Sequence, residues 1–136
     1  LWDKPYKEGI GDDYFSTRWC IKRYHELTGV QVGGVRDIAE FDDQNSRTVF
    51  YEFGANMAEF MIPFVKNYRP DLIILGGNVS KASAFFLPTL KNHIKKAGLN
   101  LDFEISDLME EAAIIGSAKL YDPLFWSQVK EDLPKL

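Results

Sequence analysis

Apolar residues recur along this 136-residue chain with three different periods, and each period predicts a different kind of element. Val49, Phe53, Met57, Phe60 and Phe64 fall at steps of four and three, the spacing of one buried helix face. Asn45 or Ser46 is placed to cap that helix, which runs towards Tyr68, and Pro63 predicts a kink or an early end. Cys20, Tyr24 and Leu27, flanked by Phe15 and Trp19, trace a second helix that Asp12 and Asp13 open and Gly29 stops. Phe86, Leu90, Ile94 and Ala97 trace a third from about Ala82, with Gly98 as its stop. Gly33 and Gly34 mark a turn before a short helix from about Val35 to Glu40.

The run Leu72-Ile73-Ile74-Leu75 is apolar at every position and predicts a strand covered on both faces, as in a parallel sheet between helices. Leu101, Phe103 and Ile105 alternate with Asp102, Glu104 and Ser106, the period of a half-exposed strand. Ser106 with its acidic neighbours opens a helix through Ala112, Ala113, Gly116 and Ala118, whose small side chains permit close approach of another backbone. Pro123 ends it, and Leu124, Phe125, Val129 and Leu133 predict a tail helix over 124–136. Residues 1–11, with Pro5, Gly9 and Gly11, read as an opening loop. The order is α/β within one domain, 1–136. Two strands make a poor sheet alone, so its other strands are expected upstream of Leu1. Leu1 is no initiator methionine and no signal pattern follows it, so the chain is expected to begin inside a longer product.

Composition narrows the function. A hydrophobic fraction of 46% supplies a core and argues against disorder. Ten Phe, six Tyr and three Trp are many for a small monomer, so an upstream half or a second copy is expected to cover some of them. The net charge of −4 argues against nucleic acid as a partner, and the densest basic patch, Arg18 with Lys22 and Arg23, reads as a solvated helix face. No apolar run is long enough to span a bilayer as a helix. Cys20 is the only cysteine, which excludes an intrachain disulfide and suits a reducing cytoplasm; on the apolar face it reads as a buried inert thiol. His25 and His93 fall on separate helices as ordinary boundary residues, and Glu110 with Glu111 as acids at a helix start.

The sharpest chemical signal is the apolar strand that stops at Gly76-Gly77-Asn78-Val79-Ser80. Open α/β sheets bind ligands beyond the carboxyl ends of their strands, where paired glycines let the backbone touch a base or a phosphate. A plain tight turn is the competing reading. The segment resembles the adenosine motif of actin-like ATPases, in the Gly-Gly-x-Val-Ser form of the ROK family of sugar kinases. Ala112 to Ala118 resembles that family's closing A-x-x-x-G-A-A helix, with Ser117 in place of an alanine, and Asp12-Asp13-Tyr14-Phe15-Ser16 resembles its Glu-x-Tyr-x-Ser segment. Asp42 and Asp43 lie near the family's Gly-Asp pair, or simply start a helix.

The resemblance implies the C-terminal part of the large lobe of an actin-like (ribonuclease H-like) fold. It implies ATP with Mg2+ as phosphoryl donor, a hexose or amino sugar as acceptor, and a homodimer. It implies nucleotide contacts from Gly76, Gly77, Asn78 and Val79, and a sugar contact from Asp12, which is one methylene shorter than the family's Glu and otherwise reads as a helix cap. The family's Cys-x-Cys-Gly-x-x-Gly-Cys zinc motif has no counterpart: Ile10 stands at its last cysteine and Lys4 to Gly9 contain none, so no zinc is expected there. The phosphate loop and catalytic aspartate are absent too, so no catalytic residue is assigned in this chain, and the chain alone is expected to be inactive. The expected function is the nucleotide-binding portion of a glucokinase-like hexose kinase; the alternative is the sugar-sensing lobe of a ROK transcriptional regulator.

Overall fold

A 25-residue helix, α4 (Gln44–Tyr68), is the axis on which the chain is assembled. The computed structural model describes residues 1, 3–108, 111–119 and 121–129. A hairpin of β1 (Pro5–Tyr6) and β2 (Gly9–Ile10) comes first, then α1 (Gly11–Tyr14), α2 (Thr17–Thr28) and α3 (Val35–Phe41). After α4 come β3 (Leu72–Leu75), a 3₁₀ turn (Asn78–Ala82), α5 (Ser83–Lys96), β4 (Asp102–Ile105), α6 (Glu111–Lys119) and α7 (Pro123–Val129).

Asp43 caps α4: its carboxylate accepts the Ser46 N–H at 2.7 Å, and the Ser46 hydroxyl donates back to the Asp43 carbonyl at 2.9 Å. The cap therefore precedes the expected Asn45 or Ser46, because the capping oxygen comes from the residue two or three positions ahead of the free amide it accepts. Of the two outcomes expected at Pro63, the early end does not occur: the helix runs on to Tyr68. The proline removes one hydrogen bond, but Phe60 and Val65 on either side of it are buried, and that packing holds the last turn. Arg69 then closes the helix in a left-handed conformation.

The buried face of α4 is wider than one stripe. Phe50, Gly54 and Ala58 are buried alongside Val49, Phe53, Met57 and Phe60, while Phe64 is only partly covered. The helix is thus gripped from two sides, by α2 and by α5. Gly54 permits the second contact, since a Cβ there would lie 2.6 Å from the Phe86 carbonyl oxygen. Phe53 ties the layers together, with its ring 4.9 Å from Phe86, 5.9 Å from Trp19 and 6.2 Å from Phe15.

Three further expectations change. The opening loop contains a hairpin, Pro5 opposite Ile10 and Tyr6 opposite Gly9, too short to leave a period in the sequence. The single helix expected from Asp12 to Gly29 breaks at Phe15 and Ser16, and the Phe15 ring joins those of Tyr6 and Phe60; the Gly29 stop stands, at φ 72°. β3 and β4 pair in parallel, Leu72 beside Asp102 through Leu75 beside Ile105. α5 crosses between them, yet only one face of β3 is sheltered: Ile74 is 63% and Leu72 40% exposed.

All of α6 is exposed, and Gly116 meets nothing within 4 Å, so its small residues approach no described backbone. Glu110 lies outside the described residues, and Ser106 stands in a turn ahead of the helix. α7 starts on Pro123, a favoured first helical residue, so the tail helix begins one position early; 130–136, with Leu133, lie outside the described residues. Among the described residues no helix is long and apolar enough to cross a membrane.

Candidate functional site

The carboxyl ends of β3 and β4 lie side by side: the Ser106 N–H donates to the Leu75 carbonyl at 2.8 Å, extending the pairing one step past the strands. Gly76 faces Ser106, and a Cβ built on it would sit 3.7 Å from the serine Cβ. Gly77 adopts φ 79° and ψ 172°, with open space where a side chain would project. Backbone conformation, not crowding, therefore selects glycine there. The Gly77 carbonyl accepts from both the N–H (3.1 Å) and the hydroxyl (2.6 Å) of buried Ser80, which rolls the chain into the 3₁₀ turn. Lys81 Nζ donates to Asn78 Oδ1 at 2.9 Å. Gly76, Gly77 and Asn78 are exposed and Val79 is half-buried. The result is bare backbone at the carboxyl end of a parallel pair, the usual ligand position of such sheets. Beside it lies an apolar slot of about 240 Å³ between α3 and α5, lined by Val35, Arg36, Ala39, Lys81, Ala82 and Phe85.

Asp12 lies on α1, at a second place. The capping of α1 falls to Asp13, whose carboxylate accepts the Ile10 N–H at 3.0 Å. Asp12 instead accepts from Arg18 Nη2 at 2.6 Å, on Oδ2 alone. It borders a hollow of about 180 Å³ floored by Phe15 and Phe60, with Leu1 and Gly11. The hairpin braces this corner against α4. Tyr6 donates to Glu59 at 2.7 Å, Lys7 donates to Asn56 at 2.8 Å, and the Tyr6 ring lies 5.0 to 5.5 Å from those of Tyr14, Phe15 and Phe60. Burial, and then the Glu59 carboxylate, push the Tyr6 phenol well above its ordinary range, so it remains a donor. Ser16 Oγ is buried with no hydrogen-bond partner among the described residues.

No hydrogen bond or ion pair among the described residues joins Asp12 to the glycine turn. Two roomier grooves, about 520 Å³ beside Tyr51 and Phe85 and about 530 Å³ beside Arg69 and Asn100, are lined by neither Asp12 nor the glycine turn itself; they are broad surface hollows. Periodicity missed Arg18, Tyr6 and Glu59, because their contacts span separate elements.

The remaining residues have structural roles. Asp43 caps α4 and accepts the Tyr24 hydroxyl at 3.2 Å, and the Ser46 amide holds its carboxyl below the ordinary range. Asp42 pairs with Arg47 at 3.0 Å. Cys20 is fully buried, and burial pushes its thiol up to about 12. His25 and His93 sit against the carbonyls of Val30 and Thr89. Within the basic patch, Lys22 faces Glu26 and Arg23 holds Glu52 and Glu26, so those charges are answered locally. Among the described residues no cluster of His, Cys, Asp or Glu is arranged to hold a metal ion.

No protein-family model matches the sequence, and no curated protein matches it. Solved structures do. A candidate sugar kinase from Cytophaga hutchinsonii superposes with a TM-score of 0.71 at 19% identity, over 82% of this chain and 44% of that one. A ROK family glucokinase from Streptomyces griseus, in complex with glucose and AMPPNP, superposes with a TM-score of 0.68 at 16% identity, over 84% of this chain and 45% of that one. At these identities the likeness is one of fold. The chain has the mixed helix-and-strand fold of part of these sugar kinase structures and spans less than half of their length.

Proposed function

We propose that this chain is the nucleotide-holding C-terminal portion of an ATP-dependent hexose kinase of the glucokinase-like ROK type. The observation that carries the reading is the glycine turn: exposed backbone at the carboxyl ends of two parallel strands, shaped by a positive φ at Gly77 and leading through a 3₁₀ turn into α5. The superposition with a glucokinase that was crystallised with a nucleotide analogue and glucose supports it.

In this reading Gly76, Gly77, Asn78 and Val79 offer peptide groups to the adenosine part, and no side chain at Gly77 obstructs the approach. ATP supplies the phosphoryl group. The turn has no carboxylate, so its Mg2+ is carried by the phosphates and by groups outside this segment. Asp12 accepts a hydroxyl of a hexose or amino sugar and fixes its orientation; it does not move the transferred proton. The general base and the phosphate loop belong to an upstream half, against which the open face of β3 would lie, in a cytoplasmic homodimer.

Gly77→Val, made in the protein carrying that half, tests the assignment. A β-branched residue is strained at φ 79°, and its methyl groups fill the approach. ATP affinity is expected to fall at least about 10-fold while sugar affinity is kept, since about 1.4 kcal/mol of lost contact is tenfold. Unchanged ATP affinity in a folded variant overturns the assignment.

A further inference from the structure

Among the described residues Asp12 is the one charged side chain lining its hollow, and the polar groups that bear on it, Arg18 and Ser16, lie beside that lining. Arg18 Nη2 occupies Oδ2 of Asp12 at 2.6 Å, and Oδ1 accepts no hydrogen bond among the described residues. The arginine side chain is 78% exposed, and its Nε and Nη1 have no partner among the described residues. Between the two in the chain, Ser16 Oγ is buried and unpartnered, a condition that a ligand or a water normally relieves. One carboxylate oxygen pinned and one free, next to a guanidinium with spare donors, form an acceptor–donor pair.

We propose that Arg18 is a sugar-contacting, specificity-determining residue: Asp12 Oδ1 accepts from one hydroxyl of the sugar, and Arg18 donates to the oxygen of the neighbouring one. This rests on the reading of Asp12 as the sugar-side carboxylate. The substrate class follows from the chemistry. It is a sugar with two adjacent free hydroxyls and a C–H face that covers Phe15 and Phe60, the floor of the hollow. Arg18 also sets the direction of the carboxylate.

The pair is also a filter. A site that hydrogen-bonds a hydroxyl rejects the analogue lacking it, because the protein groups are then left without partners. The sugar missing either hydroxyl is therefore discriminated against, and each protein group reads a different one.

The experiment uses the longer protein proposed above and the best acceptor in a panel of D-glucose, D-mannose, D-galactose, D-fructose and N-acetyl-D-glucosamine. Asp12→Asn, Arg18→Met and their double variant are compared on that sugar and its monodeoxy analogues, with KM for ATP and Tm measured in parallel. Arg18 is exposed and methionine keeps its aliphatic stem, so Arg18→Met is expected to fold. The expected result is a fall of about 10- to 100-fold in kcat/KM for the sugar, with KM for ATP unchanged. Arg18→Met should also lose discrimination against one particular deoxy analogue, and Asp12→Asn against its neighbour.

A sugar effect of Asp12→Asn with none from Arg18→Met overturns the role of Arg18 and leaves Asp12 standing. A loss in Arg18→Met that is uniform over all deoxy analogues makes Arg18 a positioning residue only, and overturns the hydroxyl contact. If neither variant moves a sugar parameter, or no sugar is turned over, the reading of Asp12 fails and this inference with it.

Discussion

At the glycine turn the shape is set by the backbone and one serine: Gly77 supplies the positive φ, and Ser80 closes the turn onto its carbonyl. Around Asp12 the shape is set by long side chains from separate elements, with Tyr6 reaching Glu59, Lys7 reaching Asn56 and Arg18 reaching Asp12. The bonds that shape the glycine turn join residues within five positions of one another, although β4 flanks it through Ser106, whereas those around Asp12 join residues up to 53 apart. A locally coded site withstands changes in its surroundings and fails when its own glycine is changed. An assembled site fails when any brace is removed, even with its own carboxylate intact.

The strongest way to erase the contrast is to damage what both places share. Phe53→Ala removes a fully buried ring that links α2, α4 and α5, and is expected to cost about 3–5 kcal/mol. Denaturant titration should show it, and sugar and nucleotide affinity should fall together. Loss of one alone would mean that the two places do not rest on a common platform.

Removing a brace should separate them. Tyr6→Phe keeps the ring and deletes the hydroxyl that donates to Glu59, at an expected cost of about 0.5–1.5 kcal/mol. Hydrogen exchange should quicken in the hairpin and α1 while the amides of Ser80 and Ser106, bonded to the carbonyls of Gly77 and Leu75, keep their protection. Equal loosening at both would contradict the division between assembled and local sites.

The mildest test touches neither. The carboxyl of Asp43 is held below its ordinary range, first by the Ser46 amide. Its contribution to stability is therefore complete above the unfolded value, about 3.9 for an aspartate, and is lost as pH falls through the lower folded value. Asp43→Asn cannot titrate and should flatten that acid limb of the stability curve, with nucleotide and sugar affinity unmoved at neutral pH. An unchanged limb would mean that the cap charge does not drive it.

This contrast also explains what the sequence could reveal. α3, α4 and α5, the two parallel strands and the glycine turn were legible, because period, capping and turn chemistry are local properties. Gly29 and Gly98 stop their helices with positive φ, as a short-range reading expects. Pro63 does not end α4 because its local penalty is outweighed by burial of Phe60 and Val65, which no window around the proline reveals. The hairpin was missed because two-residue strands have no period, and its anchor, Glu59, is remote in sequence. The cap expected of Asp12 falls to its neighbour: Asp13 does the capping, and Arg18, six positions on, holds the Asp12 carboxylate, a contact that no local period encodes. The face of β3 taken as doubly covered is open because hydrophobicity states that a surface needs cover without stating which chain supplies it.

The lone thiol turns this architecture into a stopwatch. Cys20 sits in the central cluster with Tyr24, Ile38 and Phe53, fully enclosed and uncharged. A water-soluble alkylating reagent must wait for α2 to lift from α4 before it can react. With reclosure faster than alkylation, the labelling rate relative to that of a free cysteine reads the population of the opened form directly. A single native thiol thus times, without any engineered probe, how often the shared floor beneath both places gives way.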